Sequence, residues 1–197
     1  MLTALVERIR REGRVLPGDL LKVDGFLNHR LEPELTMRMG EAFRERFATL
    51  GVDAVDLVVT AEVSGIAPAF ATAVAFGVPL VYARKNRPAT MPGAVLRADA
   101  PSRTKGGTTP LFIAPDVLGP GDRALLIDDF LATGLTIGAL AELIHRAGAR
   151  LTGVGVVIEK SFQGGRAELD SLDVPIVALA IVDALDATRG LLDVREG

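Results

Sequence analysis

Five short runs rich in Val, Ile and Leu alternate along this chain with stretches of helical periodicity. The runs carry few polar residues, which is typical of strands whose two faces are both buried. Strands of this kind that alternate with helices predict an α/β fold, a parallel sheet flanked by helices. The predicted strands cover residues 55–60, 80–84, 124–127, 153–158 and 176–180.

Apolar residues at helical spacing predict five helices. Gly51, Gly77 and Gly148 follow three of them, at the positions where a left-handed residue ends a helix. The predicted helices cover residues 2–12, 33–50, 67–76, 136–147 and, in a short piece, 166–172.

Two regions do not follow the alternation of strands and helices. Residues 13–30 mix short apolar pieces with polar side chains, and residues 86–110 are rich in Pro, Gly, Ser and Thr. A structureless loop of more than about 15 residues is uncommon inside a compact domain. We therefore predict that residues 86–110 form a long flexible flap with a functional role, with a hairpin of its own around residues 93–98.

Length and composition bound the protein class. A chain of 197 residues is long enough for one domain with a full core, and 49% hydrophobic residues is ordinary globular usage. The net charge of −3 argues against a nucleic-acid partner, and no window reaches the roughly 18 apolar residues of a membrane span. With no cysteine, disulfides and thiolate metal sites are excluded. We expect one cytoplasmic domain over residues 1–197, without nucleic-acid or membrane partners.

Residues 125–134 read Leu-Leu-Ile-Asp-Asp-Phe-Leu-Ala-Thr-Gly and carry the strongest chemical signal. Loops at the carboxyl ends of parallel strands form the ligand crevice of such folds, and Asp128 and Asp129 fall at such an end. A helix follows, and its first N–H groups can hold a phosphate. The carboxylates can accept hydrogen bonds from ribose hydroxyls and offset positive charge at the anomeric carbon. The string predicts a sugar-phosphate site.

A plainer interpretation is two acidic residues at a strand end, followed by Thr133 or Thr136 as an ordinary helix cap. That interpretation leaves the full ten-residue string unexplained. The glycine-rich motifs of P-loop NTPases and of dinucleotide dehydrogenases do not occur in the sequence, so other common phosphate-binding folds are not supported.

Residues 126–134 resemble the phosphoribosyl pyrophosphate (PRPP) signature of the type I phosphoribosyltransferases. The resemblance implies a parallel sheet topped by a small N-terminal hood, mainly residues 1–35, that supplies a nucleobase site. It also implies transfer of ribose 5-phosphate from PRPP to a base nitrogen, with Mg²⁺ carried on the pyrophosphate and no direct metal ligand from the protein. Asp128 and Asp129 would be catalytic. The residues that would bind PRPP are Ala132, Thr133, Gly134, Leu135 and Thr136.

Further family features occur in the expected order. Ser64 and Gly65 follow the first predicted strand, where the family has its pyrophosphate loop, and Arg84 and Lys85 end the second. The resemblance implies that these four residues bind pyrophosphate, the basic pair through charge-assisted hydrogen bonds. A plain turn capped by Ser64 and a solvated basic pair are the alternatives. The flap, residues 86–110, is similar to the mobile loop that closes over the reaction in this family.

Two positions bear on the nucleobase. Ala132 stands where the hypoxanthine and guanine enzymes of the family normally carry an aspartate, so the signature is closer to the adenine enzymes. Those enzymes usually have an arginine at the position of Ser64 and no lysine at that of Lys160. A lysine suits a ring carbonyl, which adenine does not offer. A surface ion pair between Lys160 and Glu159 is the alternative.

Nearly the whole chain resembles the xanthine-specific group of this family from Gram-positive bacteria. The matching segments are residues 20–29 (Leu-Leu-Lys-Val-Asp-Gly-Phe-Leu-Asn-His), 62–69, 82–85 and 159–163. This resemblance implies that Leu21, Asn28 and Lys160 bind xanthine, that the product is xanthosine 5'-monophosphate in purine salvage, and that the protein is a homodimer. An adenine or guanine/hypoxanthine enzyme, and a non-catalytic PRPP-sensing regulator, are the alternative functions.

Overall fold

The computed structural model describes residues 2–101 and 107–197. The helices in chain order are α1 (Leu2–Glu12), α2 (Pro33–Thr49), α3 (Ile66–Phe76), α4 (Leu135–Arg146) and α5 (Gly165–Glu168). The strands are β1 (Arg14–Leu16), β2 (Leu20–Lys22), β3 (Leu57–Ala61), β4 (Leu80–Ala83), β5 (Leu96–Pro101), β6 (Thr108–Ile113), β7 (Arg123–Leu131), β8 (Arg150–Lys160), β9 (Ile176–Asp186) and β10 (Leu191–Glu196).

A six-stranded sheet forms the middle of the protein, in the order β10-β9-β8-β7-β3-β4. The five predicted strands are the parallel ones, and β10 joins the β9 edge antiparallel. Every residue of β3 is buried, and so are eight consecutive residues of β8, which is why these strands read as continuous apolar runs. The predicted α/β fold, with a parallel sheet flanked by helices, is confirmed.

Two hydrophobic layers cover the sheet, one on each face. Leu125 and Ile127 of β7 pack into the layer formed with α1, α2 and α3, whereas Leu126 packs into the opposite layer with α4 and the β5–β6 hairpin. This division follows from the two-residue period of a strand. Gly153 and Gly155 of β8 leave the space that the rings of Phe43 and Phe47 fill, since a Cβ atom at either glycine would overlap those rings.

The predicted helices form with boundaries shifted by one residue or less, except for the last. Residues 166–172 are not one helix but the single turn α5 followed by a 3₁₀ turn at Asp170–Leu172. Gly51, Gly77 and Gly148 have φ angles of +77°, +71° and +76°, so the predicted left-handed helix ends are confirmed.

The region predicted to form the hood contains a β1–β2 hairpin and a π-helical turn at Asp24–Asn28. Gly18 and Asp19 make the hairpin turn with positive φ angles of 81° and 58°. The turn side chains Phe26 and Leu27 are buried in the same layer as α1 and α2, so the region is anchored to the body of the domain.

The predicted hairpin within residues 86–110 exists, but its position around residues 93–98 was wrong. Strands β5 and β6 pair over 96–101 and 108–113, because Ala98, Ala100, Leu111 and Ile113 point alternately into the core beside α4. Residues 102–106, in the predicted flap, lie outside the described residues. No helix among residues 2–101 and 107–197 is long and apolar enough to cross a membrane.

Candidate active site

A cavity of about 370 Å³ opens where the loops after β3 and β7 meet the β5–β6 hairpin. Strands β3, β4 and β7 run parallel, so the segments that follow them reach the same edge of the sheet. The predicted residues that line the cavity are Ser64, Gly65, Lys85, Asp128, Asp129, Ala132, Thr133, Gly134, Leu135 and Thr136.

Asp128 and Asp129 lie inside β7, not beyond its end as predicted. The strand continues to Leu131 because β8 pairs with it as far as Glu159, whereas pairing with β3 stops at Leu126. The two carboxylates therefore stand where β7 is paired on one side only, because its pairing with β3 has stopped. The cavity occupies the space that this leaves.

Both carboxyl groups have raised pKa values in this site. Burial raises the pKa of Asp128 well above its ordinary value, and the adjacent Asp129 charge raises it further, whereas the Lys85 charge opposes the shift. Burial also raises the pKa of Asp129, against hydrogen bonds from neighbouring groups that include the Asn28 amide. A cationic or hydroxyl-rich ligand would relieve the cost of holding two carboxylates in this environment.

The phosphate cradle, which we define as residues 132–136, is the turn between β7 and α4. Gly134 has a φ of +80°, which a glycine adopts without strain, and α4 begins at the next residue. The first backbone N–H groups of α4 lack partners within the helix and face the cavity together with Thr133 and Thr136. This is the arrangement that binds a phosphate at a helix N-terminus.

The segment between β3 and α3 forms the opposite wall. Its Glu62–Val63 peptide bond is cis, and Ser64 and Gly65 follow it on the cavity side. A Cβ atom at Gly65 would overlap the Thr60 hydroxyl and a carboxylate oxygen of Asp128. Only glycine allows the backbone to come this close to Asp128 of β7.

The structure places the two residues of the predicted basic pair in different surroundings. Lys85 lines the cavity, and its backbone N–H donates a 2.6 Å hydrogen bond to Glu62. The Arg84 guanidinium lies 3.5 Å from the Glu62 carboxylate and over the Tyr82 ring, and it is not among the described residues that line the cavity. Of the two, the structure brings only Lys85 to the cavity.

Lys160 and Asn28 lie beside β7, Lys160 at the end of β8 and Asn28 in the hood. Lys160 is buried, its Nζ donates a 2.7 Å hydrogen bond to the Asp19 carbonyl of the β1–β2 turn, and it lies 5.5 Å from the centre of the Phe130 ring. The Asn28 side chain lies close enough to Asp129 to lower the pKa of that carboxyl, and its own side-chain oxygen is buried without a hydrogen-bond partner among the described residues. Leu21 packs its side chain into the core, so only its backbone could meet a ligand.

Comparison with known proteins agrees with this geometry. The family model of the phosphoribosyl transferase domain matches residues 31–175. This chain belongs to the type I phosphoribosyltransferase family. The match contains the β3–α3 segment, the acidic pair and the cradle, which are the parts that form the cavity.

Two relatives of this phosphoribosyltransferase extend over nearly its whole length. The xanthine phosphoribosyltransferase of Deinococcus deserti is 53% identical over 196 residues, which cover 100% of both chains. That of Pseudomonas putida strain F1 is 46% identical over 185 residues, 94% of this chain and 96% of the relative.

Solved structures of similar fold include adenine phosphoribosyltransferases. The enzyme from Rhodothermus marinus has a TM-score of 0.71 at 27% identity, with 89% of this chain and 97% of that chain covered. The enzyme from Saccharomyces cerevisiae has a TM-score of 0.72 at 23% identity, with 88% and 97% covered, and at that identity it shows the fold alone.

Sequence reasoning missed several residues of the cavity. The hairpin contributes Ala100, Pro101 and Thr109, and the alternation of small and polar residues from 96 to 101 was the available signal. Glu62 was also missed as a contributor, because its contacts with residues 84 and 85 depend on β3 and β4 being neighbours. Glu159 was considered as a surface partner of Lys160, but it is buried and pairs with Arg166.

Proposed function

We propose that this phosphoribosyltransferase transfers the 5-phosphoribosyl group of PRPP to xanthine, giving xanthosine 5'-monophosphate and pyrophosphate in purine salvage. The observation that carries the proposal is the placement of Lys160, a buried cation at the carboxyl end of β8 beside the ring of Phe130. The two relatives that match over nearly the full length carry the name of this activity.

A purine with ring carbonyls fits the groups at the hood. The Lys160 ammonium can donate to a carbonyl oxygen, and the unpartnered oxygen of Asn28 can accept from a ring N–H. Adenine has no ring carbonyl, so it offers Lys160 no acceptor oxygen in addition to the Asp19 carbonyl, whereas xanthine does. We assign Asn28, Lys160 and the backbone of Leu21 to the base.

At the sugar end the reaction is a displacement at C1 of PRPP. A ring nitrogen of the base forms a bond to C1, the bond from C1 to the pyrophosphate oxygen breaks, and pyrophosphate leaves with that electron pair. Positive charge builds on the ribose in the transition state. Asp128 and Asp129 hold the ribose hydroxyls and oppose that charge from a buried strand, where electrostatic stabilisation is strongest.

The two phosphate ends of PRPP are held by different segments. Residues 132–136 bind the 5-phosphate through the N-terminus of α4. Ser64, Gly65 and Lys85 bind the pyrophosphate from the opposite wall, and we assign Arg84 a secondary role there because Glu62 already pairs with it.

Mg²⁺ fits this site as a companion of PRPP. No group of three or more His, Cys, Asp or Glu side chains in the described part of the chain could hold a metal ion. Mg²⁺ binds readily to substrate phosphates and water, and with Asp128 and Asp129 assigned to the ribose hydroxyls the ion would be carried on the pyrophosphate without a direct protein ligand. When bound, the ion would neutralise charge on the leaving pyrophosphate.

Ala132 offers no side chain that could accept a proton from the base. The hypoxanthine and guanine enzymes normally carry an aspartate at this position. Xanthine loses a proton near neutral pH more readily than the other purines, so a base that is already ionised would not need one. This property favours xanthine over hypoxanthine and guanine at a site built this way.

Rates with PRPP and each of xanthine, guanine, hypoxanthine and adenine test the proposal. We expect xanthine to have the highest kcat/KM, and Lys160→Met to lower it about 10²-fold or more, as for other sites that lose a substrate hydrogen bond. Lys22→Met, at an exposed lysine of β2, is the matched control. Robust adenine turnover would contradict the role of Lys160, and no turnover with any base would favour a PRPP sensor.

The assembly and location of the protein complete the proposal. We propose a cytoplasmic homodimer whose interface covers an apolar groove of about 530 Å³ beside α3; Val63, Ser64 and Asn28 are among the residues that line this groove, so the partner would lie next to the base site. The exposed apolar side chains that support this interface are Leu31, Met37, Val63, Phe70 and Val74. We propose no nucleic-acid partner, in line with the net charge of −3.

A further inference from the structure

The phosphate cradle contacts the segment that begins at Gly164, after a 3₁₀ turn at Ser161–Gln163 that follows β8. The Gly165 N–H donates a 3.0 Å hydrogen bond to the Ala132 carbonyl at the start of the cradle. Gly134 faces the same segment so closely that a Cβ atom there would meet the Gly165 carbonyl at 2.9 Å and the Leu169 side chain at 3.3 Å. The position of Gly165 therefore bears directly on the conformation of the cradle.

The local structure of this supporting segment is too short to fix its position. Its helical part, α5, has four residues, and a single helical turn is unstable without tertiary contacts. Its C-terminal side continues into another short turn, which ends at Leu172. Its location must come from side chains that join it to the sheet.

Arg166 makes that connection through three hydrogen bonds. Its Nε donates to Glu159 Oε1 at 2.9 Å, its Nη2 donates to the other Glu159 oxygen, and its Nη1 donates to the Ile176 carbonyl at 2.9 Å. The planar fork thus joins α5 to both β8 and β9. Only 3% of Glu159 is exposed, so the anion is fixed inside the sheet.

We propose that Arg166 and Glu159 are a positioning pair that sets the affinity of the cradle for the 5-phosphate of PRPP without touching the substrate. Glu159 fixes Arg166, Arg166 fixes Gly165, and Gly165 holds the Ala132 carbonyl and the space around Gly134. The inference rests on the proposed function, because it assigns the cradle to PRPP.

Calorimetric titration of the full chain with PRPP and Mg²⁺, without a base, tests the pair. For Arg166→Lys we expect the Kd for PRPP to rise about tenfold or more, because an ammonium cannot reproduce the planar fork and supporting contacts of this kind are worth about 10–100-fold. In turnover assays the KM for PRPP should rise likewise, whereas the KM for the base stays within about twofold. Arg123→Lys, at the exposed fork to Asp56, is the matched control and should change neither.

A second variant guards against loss of the fold. Replacing Arg166 alone with an apolar residue would leave Glu159 buried and unpaired. The double variant Glu159→Leu/Arg166→Met therefore removes both charges together. We expect this variant to fold and to show the same rise in Kd for PRPP. If it does not fold, the result with Arg166→Lys tests the proposal.

Unchanged PRPP affinity in Arg166→Lys, or an equal rise in the KM for both substrates, would overturn the positioning role. Wild-type protein that binds no PRPP would overturn both proposals, whereas preference for another base would overturn only the choice of xanthine.

Discussion

At the scale of single residues, the site is built at the expense of local stability. Asp128 is buried on a central strand beside a second carboxylate, and burial and that charge both raise its pKa. The Thr60 hydroxyl near it is fully buried and has no hydrogen-bond partner among the described residues. Such groups are costly in the free protein and become favourable when a ligand supplies hydroxyl groups and positive charge.

Asp128→Asn should therefore lower turnover and raise the free energy of unfolding. A raised pKa means that the folded protein holds a proton more tightly than the unfolded chain, so the stability contributed by Asp128 is present below its ordinary pKa of 3.8 and is lost as the pH rises through the higher folded value. The stability gain of the variant should thus grow from pH 4 towards neutral pH in denaturant titrations. We expect kcat to fall about 10²-fold or more.

Asp56→Asn is the control with the opposite sign. A side-chain hydrogen bond from Arg123 lowers the pKa of Asp56 to about 2, so the stability it contributes is present above pH 3.8 and is lost as the pH falls through 2. This variant should be less stable than the wild type at neutral pH and approach it at low pH, with turnover unchanged. If the stability gain of Asp128→Asn were independent of pH, the electrostatic explanation would be wrong.

Gly65→Ala should weaken binding by the β3–α3 segment, to which we assign the pyrophosphate. The Cβ atom of the new alanine would overlap the Thr60 hydroxyl and Asp128, so the backbone at residue 65 must move away from β7. We expect kcat/KM for PRPP to fall about 10²-fold, since displacements near 1 Å have effects of that size. Gly138→Ala, in α4 with no atom within 4 Å of the new Cβ, is the control and should gain up to about 1 kcal/mol in stability. Equal kinetics for the two variants would contradict this explanation.

At the scale of elements, β10 shows how the sheet ends. It pairs antiparallel with β9 along the edge that β9 would otherwise expose. Helix α1 holds it there, since Arg10 donates to the Val194 carbonyl and Thr3 donates to Glu196 at 2.6 Å. The first and last elements of the chain thus stabilise each other and protect a long strand edge.

Deletion of residues 191–197 should lower the melting temperature by several degrees and promote aggregation. The deletion uncovers the edge of an 11-residue strand and removes the buried side chain of Val194. Differential scanning calorimetry and light scattering measure the two effects. Arg195→Gln, which removes only an exposed ion pair to Asp183, should leave both nearly unchanged. A truncated protein as stable and soluble as the full chain would show that α1 alone protects this edge.

Elements with a strong local signal were predictable from the sequence, and those defined by partners were not. Strands 55–60 and 153–158 were recognisable because burial on both faces makes a strand apolar throughout. Strand β10 was missed because it is mostly exposed, and its ladder is defined by β9. For the same reason the acidic pair was recognised by its string, whereas the pairing of Glu159 with Arg166 depends on how α5 packs against the sheet.

At the scale of the whole molecule, the β3–α3 segment borders both the cavity and the apolar groove. Ser64 lines both the cavity and the apolar groove, and Val63 beside it is 71% exposed. A partner subunit seated in the groove would therefore rest against the back of the pyrophosphate wall. If the proposed dimer forms there, its interface and the residues that we assign to pyrophosphate would share this short segment.

Phe70→Glu should yield a monomer with reduced activity. Phe70 is 57% exposed on α3 and lines the groove, where a carboxylate would face apolar side chains of the partner. Sedimentation velocity should show the change in mass, and the KM for PRPP should rise. Val117→Glu, at an exposed apolar residue outside the groove, is the control. A Phe70→Glu variant with the mass of the wild-type assembly would place the interface elsewhere.

The hydrogen bond from Lys160 to Asp19 joins residues that are 141 positions apart, and its consequence concerns the order in which the protein is made. A nascent chain that ends at residue 131 already carries both carboxylates, but the outer half of β7 has no β8 to pair with. Lys160, which bonds to the hood, and Gly165, which bonds to the cradle, are synthesised later still. The complete cavity edge therefore forms only after β8 and the segment up to Gly165 have been synthesised and have folded against β7.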